Sequence, residues 1–146
     1  MTTYIIQIVS AVLGSLGFAL VFNLRKDKMP YALFGAGMGW AVYLIFYHFT
    51  ENNFVANMAA SIFCAASAEV FARWRKAPST LFLLVEILPL VPGGSLYYTM
   101  RSFVLKDHGA FTHHGLTTLY VSAGIAVGIL VVTSCIYILN SYKKKQ

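Results

Sequence analysis

Residues 86–100 read EILPLVPGGSLYYTM, a carboxylate followed by two prolines, two glycines and a tyrosine pair. On both sides of this stretch the chain is almost uninterruptedly apolar. A helix rising about 1.5 Å per residue needs roughly 20 apolar residues to cross a hydrocarbon core about 30 Å thick. The run that contains the motif, 80–100, has that length. So do four others, at 4–23, 30–48, 54–73 and 116–139, joined by the polar segments RKDK, TENN, WRKAPS and KDHGAFTHHG. The expected fold is therefore all-α integral membrane, one five-span domain over 1–146 with its fourth span broken at Pro89–Gly94.

Composition agrees. Of the 146 residues 58% are hydrophobic and only 11% charged, where a soluble domain carries about 25%. The mean hydropathy is +0.68. The apolar run near the N-terminus has no basic residues before it and is too long for a signal-peptide core, so it reads as a retained span. Lys and Arg cluster between the apolar runs rather than in a stripe, which speaks against nucleic-acid binding and suits lipid headgroups. Cys64 and Cys135 lie inside apolar runs and read as buried free thiols.

The basic residues also orient the spans, because their excess marks the cytoplasmic side. Arg25, Lys26, Lys28, Arg73, Arg75, Lys76, Lys143, Lys144 and Lys145 fall on one side, with only Arg101 and Lys106 on the other. The expectation is an outside N-terminus and a cytoplasmic C-terminus.

Proline removes a helical donor and clashes with the turn before it. Pro89 and Pro92, followed by Gly93 and Gly94, predict two half-helices separated by exposed backbone. Such a gap survives in a bilayer only when it faces protein or a wet cavity. The second half is expected to begin near Gly94, with Ser95 as its cap, and to offer amides and a positive dipole to an anionic or zwitterionic solute. A structural kink is the plainer alternative.

Glu86 lies about 9 Å into the fourth span at 1.5 Å per residue. An ionised carboxylate there is costly, so it either pairs with a cation or water or holds a proton. Beside a helix break it is a candidate proton-coupling group, or else an acid that bonds between helices with no role in transport. Glu69 sits four residues before Arg73, which favours an ion pair; otherwise it shares a vestibule with Glu86. Tyr97 and Arg101 share a face of the second half and together suit a carboxylate. With Tyr98 they equally suit an interfacial belt. Asn57 and Ser61 share a face of the third span, as polar contacts for a solute or as bonds between helices.

Gly35 and Gly39 in the second span, and Gly124 and Gly128 in the fifth, form GxxxG faces, and spans one and three are also rich in small residues. Such faces let helices approach closely, either within the bundle or against a second polypeptide. Five spans make a thin bundle, so a homo-oligomer or a larger partner is expected. His108, His113 and His114 read as solvated loop histidines, since no Cys or acidic cluster of zinc spacing accompanies them. No metal or cofactor is expected, and no nucleophile triad, P-loop or CxxC supports an enzyme. Besides a transporter, a non-transporting scaffold or assembly subunit and a homo-oligomeric channel remain open.

Residues 66–100, ASAEVFARWRKAPSTLFLLVEILPLVPGGSLYYTM, resemble the membrane module of the threonine/serine exporter family, in particular the small subunit of its split, two-gene members. The shared pattern is an acidic-then-basic end of span three, a proline, an apolar run, then P-x-x-P-G with a following tyrosine. The resemblance implies an inner-membrane exporter of small amino acids or, in some members, dicarboxylates such as succinate. It also implies an ion-gradient drive and a larger partner subunit with a cytosolic segment and about five spans. It carries over Glu86, Pro89, Pro92, Gly93 and Tyr97 as site residues. The chain lacks the larger module, so transport by this chain alone is not expected. Two five-span modules in sequence would enter the membrane in opposite orientations, as inverted-repeat transporters do.

Overall fold

The computed structural model describes residues 2–143, and every regular element among them is helical. Helix α1 spans Thr2–Val21, α2 Met29–Thr50, α3 Asn53–Arg75, α4 Ser79–Ile87, α5 Gly93–Val104 and α6 His108–Lys143, with a 3₁₀ turn Leu88–Leu90 after α4. Helices α1, α2, α3 and α6 are each long and apolar enough to cross a membrane, and α4 with α5 is so only as a pair, bent by 57°. The protein is a multi-pass membrane protein with four continuous candidate spans and one bent pair. Lys144 and Lys145 of the basic tail lie outside the described residues.

Short polar turns join the helices, and non-glycine residues close them. Asn23, Glu51, Lys76 and Lys106 all adopt left-handed backbone, with φ between 48° and 58°. Each ends a helix by returning an amide to one of its last carbonyls, as Glu51 N does to Tyr47 O at 2.9 Å. Left-handed backbone costs an L-residue roughly 1–2 kcal/mol, which the recovered carbonyl bonds offset. Pro30 stands in the first turn of α2, where its missing amide costs nothing. Asn52 caps α3, its side-chain oxygen accepting from Phe54 N at 2.9 Å and Val55 N at 3.4 Å.

Helix α3 is the centre, packed on α2, α4 and α6, while α5 packs on α6. Small residues set the spacing. A methyl group at Gly124 would lie 2.6 Å from the Phe54 carbonyl oxygen, and one at Gly128 would lie 2.7 Å from that of Met58 and overlap the Ser61 hydroxyl. Helices α3 and α6 therefore run parallel with backbones almost touching. Gly39 meets the Cys64 sulfur, and Gly35 meets Glu86. All four GxxxG glycines are thus used within the chain.

Two expectations need correction. The segment KDHGAFTHHG is not a loop. Only Leu105–Asp107 separates α5 from α6, and the three histidines lie on the first turns of α6. Asp107 caps that helix, its Oδ1 accepting from Ala110 N at 3.0 Å. Thr112, Thr117 and Thr118 donate back to carbonyls one turn earlier. These local bonds satisfy polar side chains inside a helix, and they carry it through Gly109 and Gly115. In addition, Cys135 is exposed on α6, whereas Cys64 is buried as expected.

Candidate functional site

Glu86 is wholly buried, with 0% of its surface accessible. It shares the inner face of α4 with Phe82 and Val85, which are equally buried. Helix periodicity accounts for this, since Val85 and Glu86 stand three and four positions after Phe82 and so on its side of the helix. Directly opposite stands Gly35 of α2, where any side chain would collide with the carboxyl group. The missing side chain is the slot in which the carboxyl sits. From α3 the Ser67 hydroxyl bonds Glu86 Oε2, and the Cys64 thiol donates to the Glu86 backbone carbonyl at 3.6 Å. Oε1 has no partner among the described residues, and no basic side chain among them pairs with the acid.

The break beyond Glu86 is tighter than the sequence suggests. Pro89 sits inside the 3₁₀ turn, and the uncoiled backbone is confined to Val91 and Pro92. Val91 has φ −60°, ψ 127°, the extended conformation that a following proline imposes. Pro92 occupies the cap position of α5 with no side-chain hydrogen bond. Ser95 therefore does not cap the second half. Gly93 and Gly94 are already helical, with no positive φ and nothing within 4 Å of an added methyl group. Gly93 N donates to Val91 O at 2.7 Å and Leu96 N to Pro92 O at 3.0 Å. The amides of Gly94 and Ser95 bond no carbonyl among the described residues.

Past the break the surroundings change. Tyr97 is 64% exposed, and Arg101 one turn later is exposed on the same face. Tyr98 stacks on His114 with ring centroids 5.4 Å apart, and Phe103 meets Phe111 at 5.8 Å. Glu86 thus lies among α2, α3 and α4, and the Tyr97–Arg101 face lies on a helix held by α6. No bond joins the two groups among the described residues.

Glu69 pairs with Arg73 at 3.7 Å, the i,i+4 partner its spacing predicted, and not with Glu86. Asn57, almost fully buried, donates to the Asn53 carbonyl at 2.7 Å. Ser61 donates to Met58 O at 3.0 Å. Both side chains serve their own helix at the contact between α3 and α6. An open cleft of about 870 Å³ lies elsewhere, between the α2–α3 turn and Thr117, Tyr120 and Ala123 of α6. It includes none of the predicted site residues, and it lacks the convergent buried groups that a binding site needs, so Glu86 outweighs it. Sequence reasoning missed Ser67 and Cys64 as neighbours of Glu86, and Gly35 as its slot. Their one visible signal is the spacing of Cys64 and Ser67, three apart on one face of α3.

At the basic end, hydrophobic and aromatic layers close over the acid. Phe71 meets Phe82 at 6.2 Å and Tyr31 at 5.7 Å between ring centroids. The Arg75 guanidinium lies 4.8 Å from the Tyr31 ring centroid. It also donates to the Asp27 carbonyl at 3.0 Å and pairs with the Asp27 carboxylate at 3.7 Å. The arrangement is a carboxyl sealed between helices, with no exposed reactive group beside it.

No solved structure matches the chain. The family model described as "Threonine/Serine exporter, ThrE" matches residues 7–135, which include all five spans to within a few residues of each end, the break and Glu86. The chain belongs to the threonine/serine exporter family, a family of transporters.

Proposed function

We propose that the chain is the membrane subunit of a secondary exporter of small amino acids (threonine and serine) or of dicarboxylates such as succinate. It works with a larger partner subunit that carries a cytosolic segment and about five spans, and an ion gradient drives it. Residues 1–146 act as a single five-span domain in the plasma (inner) membrane, N-terminus outside and C-terminus cytoplasmic.

The observation that carries this reading is the Glu86 carboxyl, wholly buried, with one oxygen bonded to Ser67 and the other without a partner among the described residues. Ionising a buried carboxyl that has no cation beside it is costly in a membrane. A scaffold would draw from it only the single bond to Ser67 on α3. A carrier that takes up and releases a proton needs just such a group. The amides of Gly94 and Ser95 at the start of α5, with Tyr97, Tyr98 and Arg101 along it, supply the solute end. Pro89, Pro92 and Gly93 shape the break between the two. Glu69 and Asn57 support α3 and stand outside the pathway.

The test is efflux of labelled threonine, serine and succinate from cells lacking or expressing the chain together with its genomic neighbour. Expression is expected to raise efflux of at least one solute, and Glu86→Gln to abolish it while both chains still co-purify. Unchanged efflux of every solute, or loss of assembly in Glu86→Gln, would overturn the proposal.

A further inference from the structure

The Ser67 hydroxyl has one hydrogen and two neighbours that accept. One is the Cys64 carbonyl, 3.0 Å away on the same helix, and the other is Glu86 Oε2. A serine hydroxyl donates once and accepts through its lone pairs. An ionised Glu86 offers only acceptors, so one of the two contacts would lack a hydrogen. The acid form supplies it: Glu86 Oε2–H donates to Ser67 Oγ, and Ser67 Oγ–H donates to the Cys64 carbonyl. Oε1 is then the carbonyl oxygen of a neutral acid, and its lack of a donor costs far less than it would for a charged oxygen.

We infer that Ser67 is a positioning residue that reports the protonation of Glu86 to helix α3. This rests on the reading of Glu86 as the coupling group. When the acid proton leaves, the Ser67 hydrogen turns from the Cys64 carbonyl to Glu86 Oε2. One proton departs, the hydrogen bond between Glu86 and Ser67 reverses direction, and the bond from Ser67 to the Cys64 carbonyl is lost. The bond given up belongs to α3 at the turn where the Cys64 thiol holds the Glu86 backbone and Gly39 of α2 packs on the sulfur. Loss of the proton is thereby felt where α2, α3 and α4 meet.

Other titratable groups on the neighbouring helices do not intrude. From α3, Cys64 reaches the Glu86 backbone, Glu69 and Arg73 pair with each other, and Arg75 is held by Asp27 and Tyr31. From α2, Tyr31 packs on Phe71 and Trp74, and Tyr43 lies against the Ala60, Cys64 and Leu90 cluster with its hydroxyl donated to Asn53 Oδ1 at 3.3 Å, while Tyr47 stacks on Tyr43 and His48 meets Phe49. Helix α1 carries only Tyr4, which is exposed.

Two measurements test the inference. In infrared difference spectra of the purified chain in lipid vesicles, a protonated-carboxyl C=O band is expected. Of the five Asp and Glu residues, Glu86 alone is buried, so Glu86→Gln should remove the band. Ser67→Ala should displace it and Ser67→Thr should restore it. In vesicles from cells expressing the chain with its genomic neighbour, gradient-driven movement of labelled threonine, serine or succinate is compared with exchange in the absence of a gradient. Ser67→Ala is expected to lose about tenfold of the driven movement, the size of an ordinary coupling free energy, while keeping exchange. Ser67→Thr keeps both. An equal loss of driven movement and exchange would mark a merely structural serine and overturn the inference, as would an undisplaced band. Glu86→Gln defective with Ser67→Ala normal overturns Ser67 alone. Full driven movement in Glu86→Gln overturns the coupling reading beneath it. Should Ser67→Ala fail to assemble, Ser67→Cys takes its place, with the same band displacement required.

Discussion

The contact among α2, α3 and α4 and the hairpin of α5 with the first turns of α6 are similarly apolar in sequence but built in opposite ways. In the first, Gly35, Gly39, Ala60, Ala68 and Ala72 bring backbones together, and the one sizeable polar group, Glu86, is fully enclosed. In the second, Tyr97, Met100, Phe103 and Leu105 stand outward, Phe103 67% exposed. Lipid tails are as apolar as leucine, so expelling water does not drive helices together in a bilayer, and close van der Waals contact does. Side-chain size therefore decides which part is tightly joined. The small-residue region can afford a buried acid because its neighbours are fixed, and the large-residue region leaves a broad face for lipid or another subunit.

The glycines give the sharpest test of that contrast. Gly35→Ala is expected to lower the melting temperature in detergent most, because overpacking costs about 1–3 kcal/mol and here the obstacle is the Glu86 carboxyl. Gly128→Ala should be comparable, since backbone atoms of α3 stand in the way. Gly93→Ala, in open space with helical backbone, should be neutral or stabilise by about 0.4–1 kcal/mol. Equal melting temperatures for Gly35→Ala and Gly93→Ala would break the comparison.

Smaller effects follow. Arg75→Ala should cost about 1 kcal/mol through the Asp27 pair and the Tyr31 ring, with the ion-pair part fading as salt is raised. Pro92→Ala restores an amide at the break, and spin labels at Leu84 and Met100 should then move apart as the 57° bend opens. An unchanged distance would show that the packing of α5 on α6, and not the proline, sets the angle. Glu69→Gln should change stability by no more than about 0.5 kcal/mol, as for an ordinary i,i+4 pair.

Hydropathy and span length made the five crossings legible, and proline chemistry made the break legible, because both act through adjacent residues. Glu86 stood out as a charge where charges are costly. Its surroundings did not stand out. Gly35 and Ser67 lie 51 and 19 residues from it, and nothing local says that one glycine of a GxxxG face receives a carboxyl group while the other receives a thiol. The first turns of α6 were misjudged for the opposite reason. Gly109, Gly115 and three histidines look like a loop until Asp107 and the threonines are seen bonding within the helix. Ser95 was a reasonable cap by residue type, but Pro92 starts the helix earlier and leaves the serine inside the first turn.

The two halves of the fourth span answer to different masters: α4 is gripped by α2 and α3, and α5 rides on α6. Val91 and Pro92 are the only uncoiled residues between them, so each half takes its position from a different neighbour, and what fixes the acid does not fix the Gly94 and Ser95 amides.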